Sequence, residues 1–217
     1  TAAPLSALTL GRPDDFHVHL RDGAGLASVL PFTAKQFGRA LVMPNLKPPV
    51  TTVAMAAAYR ERILQALPTG LAFEPLMTLY LTDRTEVDEV LRTAESGFVK
   101  AFKYYPAGAT TNSDSGVTAL KNVYPVLEAM QRHGVVLCIH GEVTDPATDV
   151  FDREAIFVEQ SLQQIVRDFP ALKIVVEHIT TSEAAAFVTA APANVGATIT
   201  PQHLLYNRTS IFTGGIR

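Results

Sequence analysis

Short apolar runs rich in β-forming residues alternate along the chain with longer amphipathic stretches. The runs predict strands at Asp15–Leu20, Ala40–Met43, Ala72–Leu79, Phe98–Tyr104, Val135–His140, Lys173–His178 and Val195–Ile199. Between them the pattern predicts helices around Gly25–Gln36, Thr52–Ala66, Glu86–Glu95, Ala119–Gln131, Arg153–Arg167 and Ser182–Ala190. Local signals support these bounds. Thr85 stands before the third helix, Thr181-Ser182-Glu183 offers a cap for the last, and Gly134 follows His133 as a terminator.

Strands separated by helical connections predict a parallel sheet with right-handed crossovers. Two α/β architectures compete, an open doubly wound sheet and a (β/α)8 TIM barrel. The open nucleotide-binding sheet requires a glycine-rich loop after its first strand. The nearest match is Gly23-Ala24-Gly25, with Ser28 in the third glycine's place, and it reads as a turn into a helix. A barrel requires polar residues at the C-terminal ends of its strands, and they crowd there. About seven strands are predicted where a barrel takes eight, and Gly214-Gly215-Ile216-Arg217 carries no helix signal. The expectation is one domain over residues 1–217, about seven βα units of a barrel cut before its last strand.

Composition narrows the class. The 217 residues are 47% hydrophobic and 18% charged, which suits a packed core rather than a disordered chain. The 18 basic residues face 21 acidic ones, a net charge of -3, which argues against a dedicated nucleic-acid binder. Cys138 is the only cysteine, so the chain has no internal disulfide framework or cysteine-based zinc finger, and it suits a reducing compartment. No apolar run approaches the ~18 residues of a membrane span, and the N-terminus lacks the order of a signal peptide. A soluble cytoplasmic protein without a membrane or nucleic-acid partner is expected.

The candidate chemistry lies at strand ends. In Asp15-Phe16-His17-Val18-His19 the two histidines share one face of a strand, so both imidazoles can reach one metal ion. Taken alone, the pair reads equally as two satisfied histidines. Two more apolar runs close on an imidazole, at His140 and His178. One barrel mouth would gather all four, and neutral imidazole is the commonest metal ligand. Lys103 shares the face of Val99 and Ala101. A plain ammonium would be repelled beside imidazoles and cations. Neutral and nucleophilic, it could capture carbon dioxide as a carbamate that bridges two metals, although a lysine at a strand end can simply snorkel. His133 suits a helix C-terminus, Cys138 suits the core, and His203 follows the last strand as loop or outer support of the site.

Together these residues resemble the amidohydrolase superfamily, and closely its single-domain dihydroorotases. The resemblance covers nearly the whole chain. It runs through Asp15-Phe16-His17-Val18-His19-Leu20-Arg21-Asp22, Met43-Pro44-Asn45-Leu46-Lys47-Pro48-Pro49 and Phe102-Lys103-Tyr104-Tyr105-Pro106-Ala107. It continues through Ala109-Thr110-Thr111-Asn112-Ser113, Ile139-His140-Gly141-Glu142, Glu177-His178-Ile179-Thr180-Thr181 and Thr200-Pro201-Gln202-His203. The His-x-His, the strand-end lysine and the two later histidines mark the superfamily. The Met-Pro-Asn and Ala-Thr-Thr-Asn-Ser segments narrow it.

The resemblance implies two zinc ions bridged by carboxylated Lys103 and a hydroxide. His17 and His19 would hold the more buried ion, and His140 and His178 the other. Arg21 and Asn45 would hold a substrate carboxylate. Thr110 and Thr111 would sit on a mobile loop that closes over substrate, with Gly108, Ser113 and Ser115 consistent with mobility. The implied activity is reversible hydrolysis of the cyclic amide of dihydroorotate to N-carbamoyl-aspartate, a step of pyrimidine biosynthesis, in a homodimer. The family's general acid/base aspartate belongs to the eighth strand, so no catalytic residue is assignable before Arg217, and this chain alone is expected to turn over poorly. Two other readings stand beside this one, a hydantoinase- or allantoinase-like cyclic-amide hydrolase and a non-catalytic scaffold homologue.

Overall fold

A computed structural model describes residue 7 and residues 9–215. Its centre is a sheet of seven parallel strands: β1 (Asp14–Val18), β2 (Arg39–Val42), β3 (Glu74–Leu81), β4 (Val99–Tyr104), β5 (Val136–Ile139), β6 (Ile174–Val176) and β7 (Val195–Ala197). The spatial order follows the chain from β1 to β7 with no reversal. A doubly wound sheet needs a point where the order reverses. Its absence, with the curl of the sheet, makes this the barrel type, and among the described residues β1 and β7 are not paired.

Six helices of the crossovers cover the outside: α1 (Gly23–Gln36), α2 (Val53–Gln65), α3 (Val87–Ser96), α4 (Tyr124–His133), α5 (Arg153–Phe157) and α6 (Gln163–Asp168), followed by α7 (Ser182–Ala190) on the last crossover. They face the sheet through residues at helical spacing, such as Leu26, Leu30 and Ala34 of α1 and Ala56, Tyr59 and Ile63 of α2. The strand residues that point outward, Phe102 and Leu137 among them, complete this shell. The inner face carries the site. Register aligns Tyr80, Lys103, Cys138, Val175 and Gly196 in one row across five strands. Leu41, Ala101 and Val136, with Cys138 and Val175 of that row, line an apolar cavity of ≈ 380 Å³. The imidazoles and Lys103 lie toward the strands' C-terminal ends.

The expected elements are present, with local differences. Thr85 does not cap α3, because its hydroxyl accepts from the Thr82 N–H at 2.9 Å and closes the preceding turn. Thr181 does cap α7, accepting from Ala184 N–H at 3.2 Å, and Gly134 ends α4 with φ 67°. The single helix expected over Arg153–Arg167 is α5 and α6 joined by a π-helical turn at Val158–Leu162. After β7, where the sequence reads as loop, Pro201–Leu205 forms a short helix, α8. Pro201 at its first position fixes φ in advance, which favours a helix start. Phe16, beside His17 on β1 and facing the other way, is 64% exposed, and among the described residues that strand pairs only with β2.

Candidate metal centre

His17 lies on β1 with its N–H bonded to the Asp15 carboxylate at 3.0 Å, and His19 follows just past the strand end. Their Nε2 atoms approach to 3.0 Å. His140 follows β5, its N–H donated to the Tyr104 carbonyl at 3.0 Å. His178 lies two residues beyond β6. Ring centroids are 4.9 Å apart for His17 and His19, 5.2 Å for His17 and His178, and 4.8 Å for His140 and His178. The four imidazoles, contributed by the ends of three strands, therefore form one chain across the barrel mouth.

Lys103 sits beneath them, fully buried. The sequence makes a plain ammonium implausible there and points to no acidic partner, but Lys103 pairs with the carboxylate of Glu177. Glu177 was missed as a site residue. Strand alternation gives one face to every second residue, so His178 and Glu177 should point oppositely. His178 adopts φ 44°, a left-handed conformation that breaks the alternation, and both residues serve the inner face. The signal in the sequence was an acidic residue closing the apolar run of Ile174-Val175-Val176. One ligand atom each from His17, Glu177 and His178 lie within 4.8 Å of one another.

Burial shapes the protonation of the cluster. Desolvation, then the charges of His17 and Arg21, lowers the His19 pKa to about 4. Desolvation, then Lys103 and His140, lowers that of His178 to about 3. Both are neutral imidazoles at pH 7, with lone pairs available to a cation. For Glu177, burial alone would raise the pKa, but the Lys103 ammonium and the His17 contact bring it down to about 2. His17 Nδ1 and Glu177 Oε1 are 2.9 Å apart, yet both are buried and lack a hydrogen bond of proper geometry among the described residues. Converging imidazoles, an anion and two buried polar atoms without satisfied bonds are a donor set that fits a divalent cation, with zinc suited to the nitrogens.

Arg21, Asn45, Thr110 and Thr111 line the same mouth, a cavity of ≈ 870 Å³. Arg21 has φ 59°, and its carbonyl accepts from the Tyr59 hydroxyl at 2.5 Å. Asn45 is buried and engaged on both sides. Its Oδ1 lies 2.9 Å from His19 Nδ1, and its Nδ2 donates to the Thr111 carbonyl at 3.0 Å. The Asn45 carbonyl accepts from Asn112 Nδ2 at 3.0 Å. Thr110 and Thr111 are exposed, but their loop is pinned. Ser113, expected to favour mobility, is buried and its hydroxyl donates to the Thr110 carbonyl at 2.6 Å. Tyr105 also lines the cavity. Its hydroxyl is buried without a hydrogen-bond partner among the described residues, and burial raises its pKa, keeping it a phenol. His203 lies at the rim, its Nδ1 2.8 Å from the Thr200 hydroxyl.

A sequence profile described as "Amidohydrolase family" matches residues 15–210, and the chain belongs to that family. It is similar to a curated protein named dihydroorotase from Cupriavidus taiwanensis, 66% identical over 210 residues, covering 97% of this chain and 61% of that protein. It is also similar to the crystal structure of a dihydroorotase from Campylobacter jejuni, with a TM-score of 0.87 and 36% identity over 95% of this chain and 59% of that one. A Saccharomyces cerevisiae dihydroorotase, solved in complex with 5-fluoroorotic acid, superposes with a TM-score of 0.82 and 32% identity, over 92% of this chain and 58% of that one. The chain thus spans about three fifths of the length of these relatives.

Proposed function

We propose that this chain forms seven βα units of a dihydroorotase barrel, within a protein that reversibly hydrolyses the cyclic amide of dihydroorotate to N-carbamoyl-aspartate. The observation that carries this reading is the convergence of four histidines and Lys103 with Arg21 and Asn45 at one mouth. The named relatives and the orotate analogue bound to one of them support the substrate class. His17 and His19 would hold one zinc ion and His140 and His178 the other, with Lys103 between them as a carbamate. Forming that carbamate joins the amine nitrogen to the carbon of carbon dioxide. The ammonium gives up its proton first, and a second proton leaves as the N–C bond forms.

When bound, the ions supply Lewis acidity, polarising the ring amide carbonyl and acidifying the attacking water. The residues of this chain orient the rest. The Arg21 guanidinium offers a fork suited to the substrate carboxylate. Asn45 holds His19 by its Nδ1, which leaves Nε2 to the metal. The loop of Thr110 and Thr111, which lines the mouth, would close over bound substrate and limit water. Hydrolysis forms one C–O bond and breaks the ring C–N bond, and the leaving nitrogen takes up a proton. Asp14 and Asp15 line the cavity, but Arg39 engages the one and the His17 N–H the other. This reading assigns the proton donor to the part of the relatives' length that this chain does not span. A cytoplasmic homodimer is the expected form.

The test is an assay of the complete polypeptide carrying this chain. Stoichiometric zinc and interconversion of dihydroorotate and carbamoyl aspartate are expected. Preferential hydrolysis of uncharged hydantoins would overturn the substrate assignment, and a protein without stoichiometric metal would support a scaffold role instead.

A further inference from the structure

Glu154 opens α5, in the segment that follows the His140 loop, yet its buried carboxylate reaches into a different loop. It accepts from the Thr180 N–H at 2.9 and 3.1 Å, from the Thr181 N–H at 2.8 Å and from the Thr181 hydroxyl at 2.6 Å. Thr181 in turn caps α7. On the other side, the Arg153 carbonyl accepts at 3.2 Å from the N–H of Val143, three residues past His140. A continuous brace, Val143 to Arg153 to Glu154 to Thr180 and Thr181, therefore joins the loops that carry His140 and His178. It runs outside the sheet.

His178 needs such support. A non-glycine residue in the left-handed region is strained and persists only where its surroundings over-determine it. Its own N–H is fixed by the Thr198 hydroxyl at 2.8 Å, and that of Glu177 by the Ile139 carbonyl at 3.0 Å. Glu154 fixes the backbone immediately downstream. A carboxylate suits the task because its two charged oxygens can accept several bonds at once, where an amide offers only one accepting oxygen.

We propose that Glu154 is a positioning residue that sets the approach of His140 and His178, whose ring centroids are 4.8 Å apart, and so tunes one of the two metal positions. The inference rests on the metal-centre reading above.

The test uses the complete polypeptide, stripped of metal and titrated calorimetrically with zinc. His140→Ala identifies the loading step that belongs to the His140 and His178 position. E154A should weaken that step about 10–100-fold, as expected for an outer partner of a metal ligand, and leave the other unchanged within about twofold. E154Q should fall between E154A and the wild type, and it carries the test if E154A does not fold. Metal-free E154A or E154Q should also exchange the Thr180 and Thr181 amide hydrogens faster. Equal weakening of both steps, or unchanged loading and exchange in E154Q, would overturn the inference while leaving the metal centre intact. A wild-type protein that takes up no stoichiometric zinc would overturn the metal reading and this inference with it.

Discussion

Lys103 of β4 and Glu177, just past β6, meet inside the barrel with β5 between their strands, ammonium against carboxylate, both side chains fully buried. Neither charge has access to water, so each depends on the other. Removing one member of such a pair leaves an uncompensated buried charge, at a cost of about 3–5 kcal/mol.

Lys103→Ala is therefore expected to act twice. It should abolish binding of the metal pair, read as zinc content after dialysis. It should also destabilise the metal-free protein by about 3–5 kcal/mol, read by urea unfolding. Adding Glu177→Gln should restore part of the stability but none of the zinc. Two tightly held zincs in the single variant would remove Lys103 from the bridge.

Arg21→Gln tests the carboxylate clamp. Among the described residues its guanidinium makes no hydrogen bond to a candidate metal ligand, so zinc content should stay intact. Losing a charged hydrogen bond worth about 1.5–3 kcal/mol should lower kcat/KM by roughly 10- to 150-fold. Steady-state kinetics equal to wild type would place the substrate carboxylate elsewhere.

The loop and its anchor should separate cleanly. Thr110→Ala with Thr111→Ala leaves the Asn45 contact to the Thr111 carbonyl in place, so turnover should slow while zinc stays bound. Asn45→Ala releases the loop and also frees His19 Nδ1. It should weaken zinc about 10–100-fold, the usual effect of losing an outer partner of a ligand histidine. Equal zinc affinity in Asn45→Ala and wild type would mean that His19 is oriented without it.

Asp22, the cap of α1, gives a pH signature away from the centre. Hydrogen bonds from Arg62 hold its carboxyl below the usual carboxylate range. A carboxyl with a depressed folded pKa adds stability above its unfolded value near 3.9, and that contribution is lost as pH falls through the lower folded value. Arg62→Ala should thus cost about 0.2–1 kcal/mol at neutral pH, as a surface pair does, and progressively less in acid. Urea midpoints at the two pH values decide it, and a cost undiminished in acid would assign the effect of Arg62 to packing.

The sequence made the seven strands and the barrel arrangement legible because both rest on local pattern. Apolar runs marked the strands, and His17, His140 and His178 at their ends marked one rim. What stayed hidden depends on contacts between distant segments. Glu177 could not be assigned while His178 was read in strand alternation, which its left-handed backbone breaks. The carboxylate of Glu154 bonds to backbone 26 and 27 residues away, which leaves no periodic trace. Asn45 is expected from the sequence to contact substrate; that its amide also joins His19 to the Thr111 carbonyl depends on segments far apart in the chain and leaves no local pattern.

Cys138, the one thiol in these 217 residues, stands in register with Lys103 and is 1% exposed. Burial, reinforced by Glu177, pushes its pKa far up, so an alkylating reagent meets little exposed sulfur and little thiolate. Its rate of modification then clocks how often the row shared with Lys103 opens to solvent. Any ligand that stills this row should register as slower labelling, a gauge the chain carries without any substitution.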